Sequence, residues 1–105
     1  MNYLFICSRN QWRSPTAERI FAKGYGIATR SAGTSQQAKH TINAKDILWA
    51  DSIFVMENKH KRQILEKFSR QLKHKKLVVL DIPDEYHYMD AELIDILQSA
   101  LTPDL

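Results

Sequence analysis

Four short strand-like runs, each followed by a helical pattern, constrain this chain more than any other feature. Asn2 to Ile6 contains the unbroken apolar run Tyr3, Leu4, Phe5 and Ile6, and a second run is expected around Ile27 to Ser31. Ser52 to Met56 and Leu77 to Leu80 supply the third and fourth. Strands of this kind, alternating with helices, indicate a parallel sheet buried on both faces. The expected fold class is therefore α/β, a four-stranded parallel sheet doubly wound with helices on both faces, in one domain spanning residues 1–105.

The helical segments carry their own signals. Ser14-Pro15 resembles a helix start, with Ser as N-cap and Pro at the first helical position, and Ala17, Ile20, Phe21 and Gly24 follow at helical spacing. Gly24-Tyr25-Gly26 is a glycine stop signal, and Ser31 to Gln37 reads as a loop. Asn43, with Asp46 three residues later, resembles a capping box for a short helix ending at Trp49. Glu57 to Leu72 places Ile64, Leu65, Phe68 and Leu72 on one stripe, and Asp90 caps a last helix bearing Leu93, Ile94, Leu97 and Leu101.

In a parallel sheet the ligand site lies beyond the carboxyl ends of the strands. That rule brings together the loop after Cys7, Ser31 to Thr34, Glu57, and Asp81 to Tyr88. Cys7 is the chain's one cysteine, and five residues separate it from Arg13. A loop between a strand tip and a helix N-terminus aims backbone N–H groups at one spot and adds partial positive charge. Such surroundings favour thiolates and hold oxyanions. The same segment thus offers a nucleophile, Cys7, and a cradle for a phosphate, in which Arg13 can grip two oxygens with its fork.

A carboxylic acid across the site can protonate the leaving oxygen and later take a proton from water. Asp81, the first residue after the fourth strand, is favoured for this role, with Asp84 as its rival. Ser14 can donate its hydroxyl to Cys7. Asn10 tolerates the left-handed turn that a loop without glycine needs there. Ser8, Arg9, Asn10, Gln11, Trp12 and Ser14 are the expected substrate-binding residues.

Composition narrows the classes. With 44% apolar and 26% charged residues the chain suits a soluble globular domain, and no apolar run approaches the ~20 residues of a membrane span. Met1-Asn2 leads straight into the first strand with no signal-peptide pattern, and a lone cysteine suits a reducing cytosol; a cytoplasmic location is expected. The net charge of +3 includes basic clusters at Lys59-His60-Lys61-Arg62 and Lys73-His74-Lys75-Lys76, read as solvated helix faces. Interleaved aromatics on a basic strand face are missing, which argues against nucleic acid. No His/Cys/carboxylate set has ligand-like spacing, so neither metal nor cofactor is expected.

Cys7-Ser8-Arg9-Asn10-Gln11-Trp12-Arg13-Ser14-Pro15-Thr16-Ala17-Glu18 resembles the signature loop of the low-molecular-weight protein tyrosine phosphatases. The likeness continues through Ser31-Ala32-Gly33-Thr34, through Ala50 to Met56, and to an acidic residue after the last strand. It implies the same four-stranded parallel fold, with Cys7 as nucleophile, Arg13 as phosphate ligand and the aspartate after the fourth strand as general acid. The implied substrates are phosphorylated protein or a small phosphoester. The sequence departs from the family pattern at Arg9, where glycine is usual, and at Trp12, where a second cysteine is usual. Ile82 also stands between Asp81 and Pro83, where the family's acid directly precedes proline. Tyr86, Tyr88 and Trp12 could wall a slot for a phosphoaryl group.

Three rival classes use a similar layout. A thiol-dependent arsenate reductase would need external thiols here. A phosphocysteine carrier would not need Arg13 or an overhanging carboxylate. A non-catalytic module would bind phosphate or phosphoprotein without turnover.

Overall fold

The structure, a computed structural model, describes residues 1–104. Eight elements alternate along it: β1 (Asn2–Cys7), α1 (Arg13–Phe21), β2 (Ala28–Gly33), α2 (Ala44–Trp49), β3 (Ser52–Val55), α3 (Asn58–Leu72), β4 (Lys76–Val79) and α4 (Ala91–Leu101). The strands form one parallel sheet in the order β2-β1-β3-β4. The registers align Cys7 with Gly33 and Phe5 with Phe54. This is the four-stranded α/β architecture that the apolar runs imply.

Alternation along β1 divides the core in two. Tyr3, Phe5 and Cys7 face a cluster with Ala17 and Phe21 of α1 and with Leu93, Leu97 and Leu101 of α4. Leu4 and Ile6 face the other side, against Ile47 of α2 and Ile64, Phe68 and Leu72 of α3. Because both faces are covered, the central strand β1 carries apolar residues at every position from Tyr3 to Cys7 rather than at every second one.

Several local readings need correction. The first helix begins at Arg13, with Trp12 at its N-cap making no side-chain cap bond, so Ser14 lies inside the first turn and is not the cap. That frees the Ser14 hydroxyl for other partners. The helix ends at Phe21, and Gly24 and Gly26 (φ 86° and 69°) turn the chain in the connection beyond it. Leu65 is 39% exposed and lies off the buried Ile64–Phe68–Leu72 stripe, while α3 departs from helical geometry at Phe68 (φ −127°, ψ 30°). The second strand runs on to Gly33, further than its apolar content suggests, because it pairs with the whole of β1. The capping box at Asn43 and Asp46 forms as read, with both backbone N–H groups accepted reciprocally.

Candidate active site

At the carboxyl end of the sheet, the segment from Cys7 to Arg13 wraps around a cleft of about 240 Å³ lined by Cys7, Arg9, Gln11, Trp12, Arg13 and Asp84. The connection after β2 holds this loop from outside. Thr34 N–H donates to Cys7 O (3.0 Å), Ser35 N–H to Ser8 O (2.9 Å) and Lys39 N–H to Arg9 O (3.1 Å). Each trans peptide sets its N–H opposite its C=O. The N–H groups of Ser8, Arg9 and Asn10 therefore point away from the buttress. Asn10 makes the turn in the left-handed region at φ 55°.

Behind the thiol lies a directed chain of hydrogen bonds. Ser31 Oγ donates to Glu18 Oε1 (2.5 Å), because a carboxylate can only accept. Ser31 then accepts from Asn10 Nδ2 (2.9 Å), whose second hydrogen goes to Ser14 Oγ (3.0 Å). Asn10 occupies one of the two lone pairs of Ser14, and toward a thiolate, which can only accept, Ser14 gives its own hydrogen to Cys7 Sγ at 2.9 Å, Ala32 O being more distant at 3.4 Å. The sequence signals gave Ser14 to Cys7 but not the roles of Glu18 and Ser31. Those two sit on different elements, which only the parallel pairing of β1 and β2 brings together.

Arg13 is 2% exposed. Its Nη1 spends both hydrogens, on Glu57 Oε2 (2.5 Å) and on Ile82 O (2.8 Å). That leaves the Nε–Nη2 edge as the fork for an oxyanion. Burial works to raise the Glu57 pKa, but the Arg13 hydrogen bond and the charges of Arg13 and Lys59 together hold it below its ordinary value.

Glu57 also ties a second group into the site. Its N–H donates to His60 Nδ1 (3.0 Å), so the ring proton sits on Nε2, which donates to Ser8 Oγ (2.8 Å). His60 is fully buried, and burial plus the nearby Arg13 charge push its pKa down to about 4. The basic run at Lys59–Arg62 is thus not a uniform solvated face; one of its members is an internal strut. Nothing in the sequence marks it, since its partner Ser8, just after β1, is 52 residues away in the chain.

The segment after β4 supplies the wall opposite the loop. Leu80 N–H bonds Val55 O and Ile82 N–H bonds Met56 O, each at 2.8 Å. Asp81 lies between these two anchors, at φ 58°, with its side chain exposed, and it does not line the cleft. Asp84 does line it, and its Oδ1 is 3.7 Å from Arg13 Nε. The far end of the segment is held by Met89 N–H on Thr16 Oγ1 (2.9 Å), and Trp12 meets the His87 ring at 4.8 Å between centroids.

Of the residues expected to bind substrate, Arg9, Gln11 and Trp12 line the cleft, whereas the side chains of Ser8, Asn10 and Ser14 are engaged behind the loop. Tyr86 packs on the core and Tyr88 lines a neighbouring groove, so neither walls the cleft. Among the described residues no group of three or more His, Cys, Asp or Glu side chains is placed to hold a metal ion, and no helix is long and apolar enough to cross a membrane.

No family model and no curated protein matches the sequence. Solved structures do match over nearly the whole chain. The low-molecular-weight protein tyrosine phosphatase SP-PTP of Streptococcus pyogenes is 18% identical, with 99% of this chain and 93% of that one covered at a TM-score of 0.77. The tyrosine phosphatase Wzb from Escherichia coli K30, solved with phosphate, is 21% identical, with 97% and 94% covered at 0.75. The YwlE arginine phosphatase from Geobacillus stearothermophilus is 21% identical, with 97% and 84% covered at 0.67. The chain has the fold of the low-molecular-weight protein tyrosine phosphatases.

Proposed function

We propose that this protein hydrolyses phosphate monoesters without a metal, through a cysteinyl-phosphate on Cys7, and that its substrates are phosphotyrosyl proteins. The observation that carries the reading is the approach of Ser14 Oγ to Cys7 Sγ at 2.9 Å, with the proton directed along the Glu18–Ser31–Asn10–Ser14 chain. A hydroxyl so oriented stabilises sulfur as an anion, both when the nucleophile forms and when it departs from phosphorus.

In the first step the thiolate attacks phosphorus in line, and the Nε–Nη2 edge of Arg13 takes two equatorial oxygens as charge redistributes. Asp84 gives its proton to the leaving oxygen. In the second step the Asp84 carboxylate takes a proton from water, which attacks phosphorus and releases Cys7. We assign this role to Asp84 rather than Asp81, because Asp84 faces the cleft and Asp81 faces solvent. Trp12, backed by the His87 ring, gives the cleft an aromatic wall that suits an aryl phosphate. The likeness to tyrosine phosphatases supports this substrate class, and the arginine phosphatase among the similar structures makes phosphoarginine the nearest competitor. A lone thiol is best kept reduced in the cytosol, where we place the activity.

The deciding experiment is turnover of p-nitrophenyl phosphate in the presence of a chelator. The expected result is metal-independent hydrolysis that is lost in Cys7→Ser. A stable phosphocysteine without turnover would replace hydrolysis with carriage, and phosphate binding without either would leave only a binding module.

A further inference from the structure

A second groove, about 380 Å³, opens beside the catalytic cleft and shares Gln11 and Trp12 with it. Lys39, Pro15 and Tyr88 line it further out, and from Pro15 and Tyr88 a third hollow continues along α1 toward Arg19 and Thr29. The three form one track leading from Cys7 across the start of α1 to the edge strand β2. A small phosphoester would fill only its first part. Trp12 and Tyr88, 37% and 46% exposed, leave ring surface along it for an extended chain.

The charges along the track are uneven. Arg9 lines the cleft, Lys39 lines the groove, and the bond from Lys39 N–H to Arg9 O (3.1 Å) fixes the two residues side by side. Both are exposed. Arg9 reaches only the Gln37 amide oxygen, at 3.4 Å, and among the described residues neither cation forms a salt bridge. The carboxylates of the track keep their charge but engage other groups, Glu18 with Ser31 and Asp84 with Arg13, whose Nε is 3.7 Å from Oδ1. Two adjacent cations without anionic partners at the mouth of a site will favour a partner that brings negative charge.

Building on the phosphatase reading, we infer that the substrate is a polypeptide lying along this track, with an acidic side chain beside the phosphorylated residue held between Arg9 and Lys39. The phosphate enters the cradle, and the neighbouring carboxylate selects which phosphorylated segments are taken.

The test is equilibrium binding of fluorescent phosphotyrosyl peptides to the Cys7→Ser protein, with turnover by the wild type measured in parallel. The peptides are identical apart from Asp and Glu, or Asn and Gln, at the positions flanking the phosphotyrosine. The acidic peptide is expected to bind about fivefold to tenfold more tightly at low salt. That ratio should shrink toward one at 0.5 M salt and in the Arg9→Gln, Lys39→Gln double variant. Equal affinity for the two peptides, a ratio unchanged in the double variant, or binding of neither peptide would overturn the inference. A preserved ratio with no wild-type turnover would instead sink the hydrolase reading and leave the acidic preference standing.

Discussion

Gly33 packs against Ser8 so closely that a Cβ added to it would lie 2.5 Å from Ser8 O. The same atom would meet Ala38 Cβ at 2.6 Å and Asn10 N at 3.0 Å. The glycine is needed for space, because β2 must run directly beneath the Cys7 loop for the connection after it to reach that loop's carbonyls. Gly33→Ala must displace backbone on at least one side. Overpacking of this kind costs about 1–3 kcal/mol, and the part that yields is the cradle. Inorganic phosphate should inhibit the variant at least tenfold less well, and thermal unfolding should come several degrees earlier. An unaltered phosphate inhibition constant would show that the cradle does not depend on this contact.

Asp84 and Asp81 are separated by the way the chain leaves β4. The bonds of Leu80 to Val55 of β3 and of Ile82 to Met56 just beyond it hold the chain on both sides of Asp81, and Ile82 O is further fixed by Arg13. Asp84 then falls on the cleft side, near Arg13 Nε. Asp84→Asn should lower kcat by about 10²–10⁴, the usual worth of a positioned general acid, and by a larger factor than Asp81→Asn does. The loss should be greater for an alkyl phosphate than for p-nitrophenyl phosphate, whose leaving group needs less help. Measurement of kcat for both variants on both substrates decides the assignment.

Much of the fold was legible because the signals are local. The runs at β1 and β3 are apolar on both faces, and the Asn43–Asp46 capping box lies within four residues of sequence. At the start of α1 the local signal, Ser14-Pro15, places the N-cap at Ser14 rather than at Trp12. The tight wrap of the Cys7 loop and the Thr16 N–H to Trp12 O bond begin the helix earlier. That Cys7, Arg13 and Ser14 lie close together was legible through their spacing. Which of Asp81 and Asp84 lines the cleft was not, since that depends on hydrogen bonds from the chain after β4 to Val55 and Met56. His60 looks like one more polar residue in a basic run, and its bond to Ser8 joins positions 52 residues apart. What sequence withholds here is tertiary direction, not residue type.

His60 makes stability depend on pH in a defined window. Its folded pKa is depressed to about 4 from 6.5, and the groups facing it are Arg13, Glu57, Lys59 and Asp84. Between those two values the unfolded chain binds more proton than the folded one, so stability rises with pH and is lost as pH falls from about 6.5 through 4. The whole window is worth at most roughly 3 kcal/mol. The lowered pKa of Glu57 acts in the same sense, but only nearer its ordinary value of 4.5. Urea unfolding at pH 5 and pH 7 should show lower stability at pH 5 for the wild type. The difference should be clearly smaller in His60→Gln, whose amide can still bond Ser8. An equal difference in both proteins would remove His60 as its source.

Ser14 should matter most when sulfur leaves phosphorus. Its hydroxyl has one hydrogen, and the Asn10 amide at 3.0 Å occupies one of its two lone pairs, which biases that hydrogen toward the sulfur. A hydrogen bond to a charged group contributes about 1.5–3 kcal/mol. Losing it from the departing thiolate should slow the second step about tenfold to a hundredfold. The first step also loses thiolate stabilisation, but its leaving group is an activated phenol when p-nitrophenyl phosphate is used. Ser14→Ala should therefore show a burst of one nitrophenolate per enzyme followed by slow turnover, with phosphocysteine accumulating. Asn10→Ala should shift the kinetics the same way by a smaller factor, because the serine keeps its hydrogen but loses its direction, Ala32 O being the alternative acceptor at 3.4 Å. Rapid-quench measurement of phosphoenzyme in both variants reads the two steps apart. A fall in kcat with no accumulated phosphoenzyme would place the role of Ser14 in the attack instead.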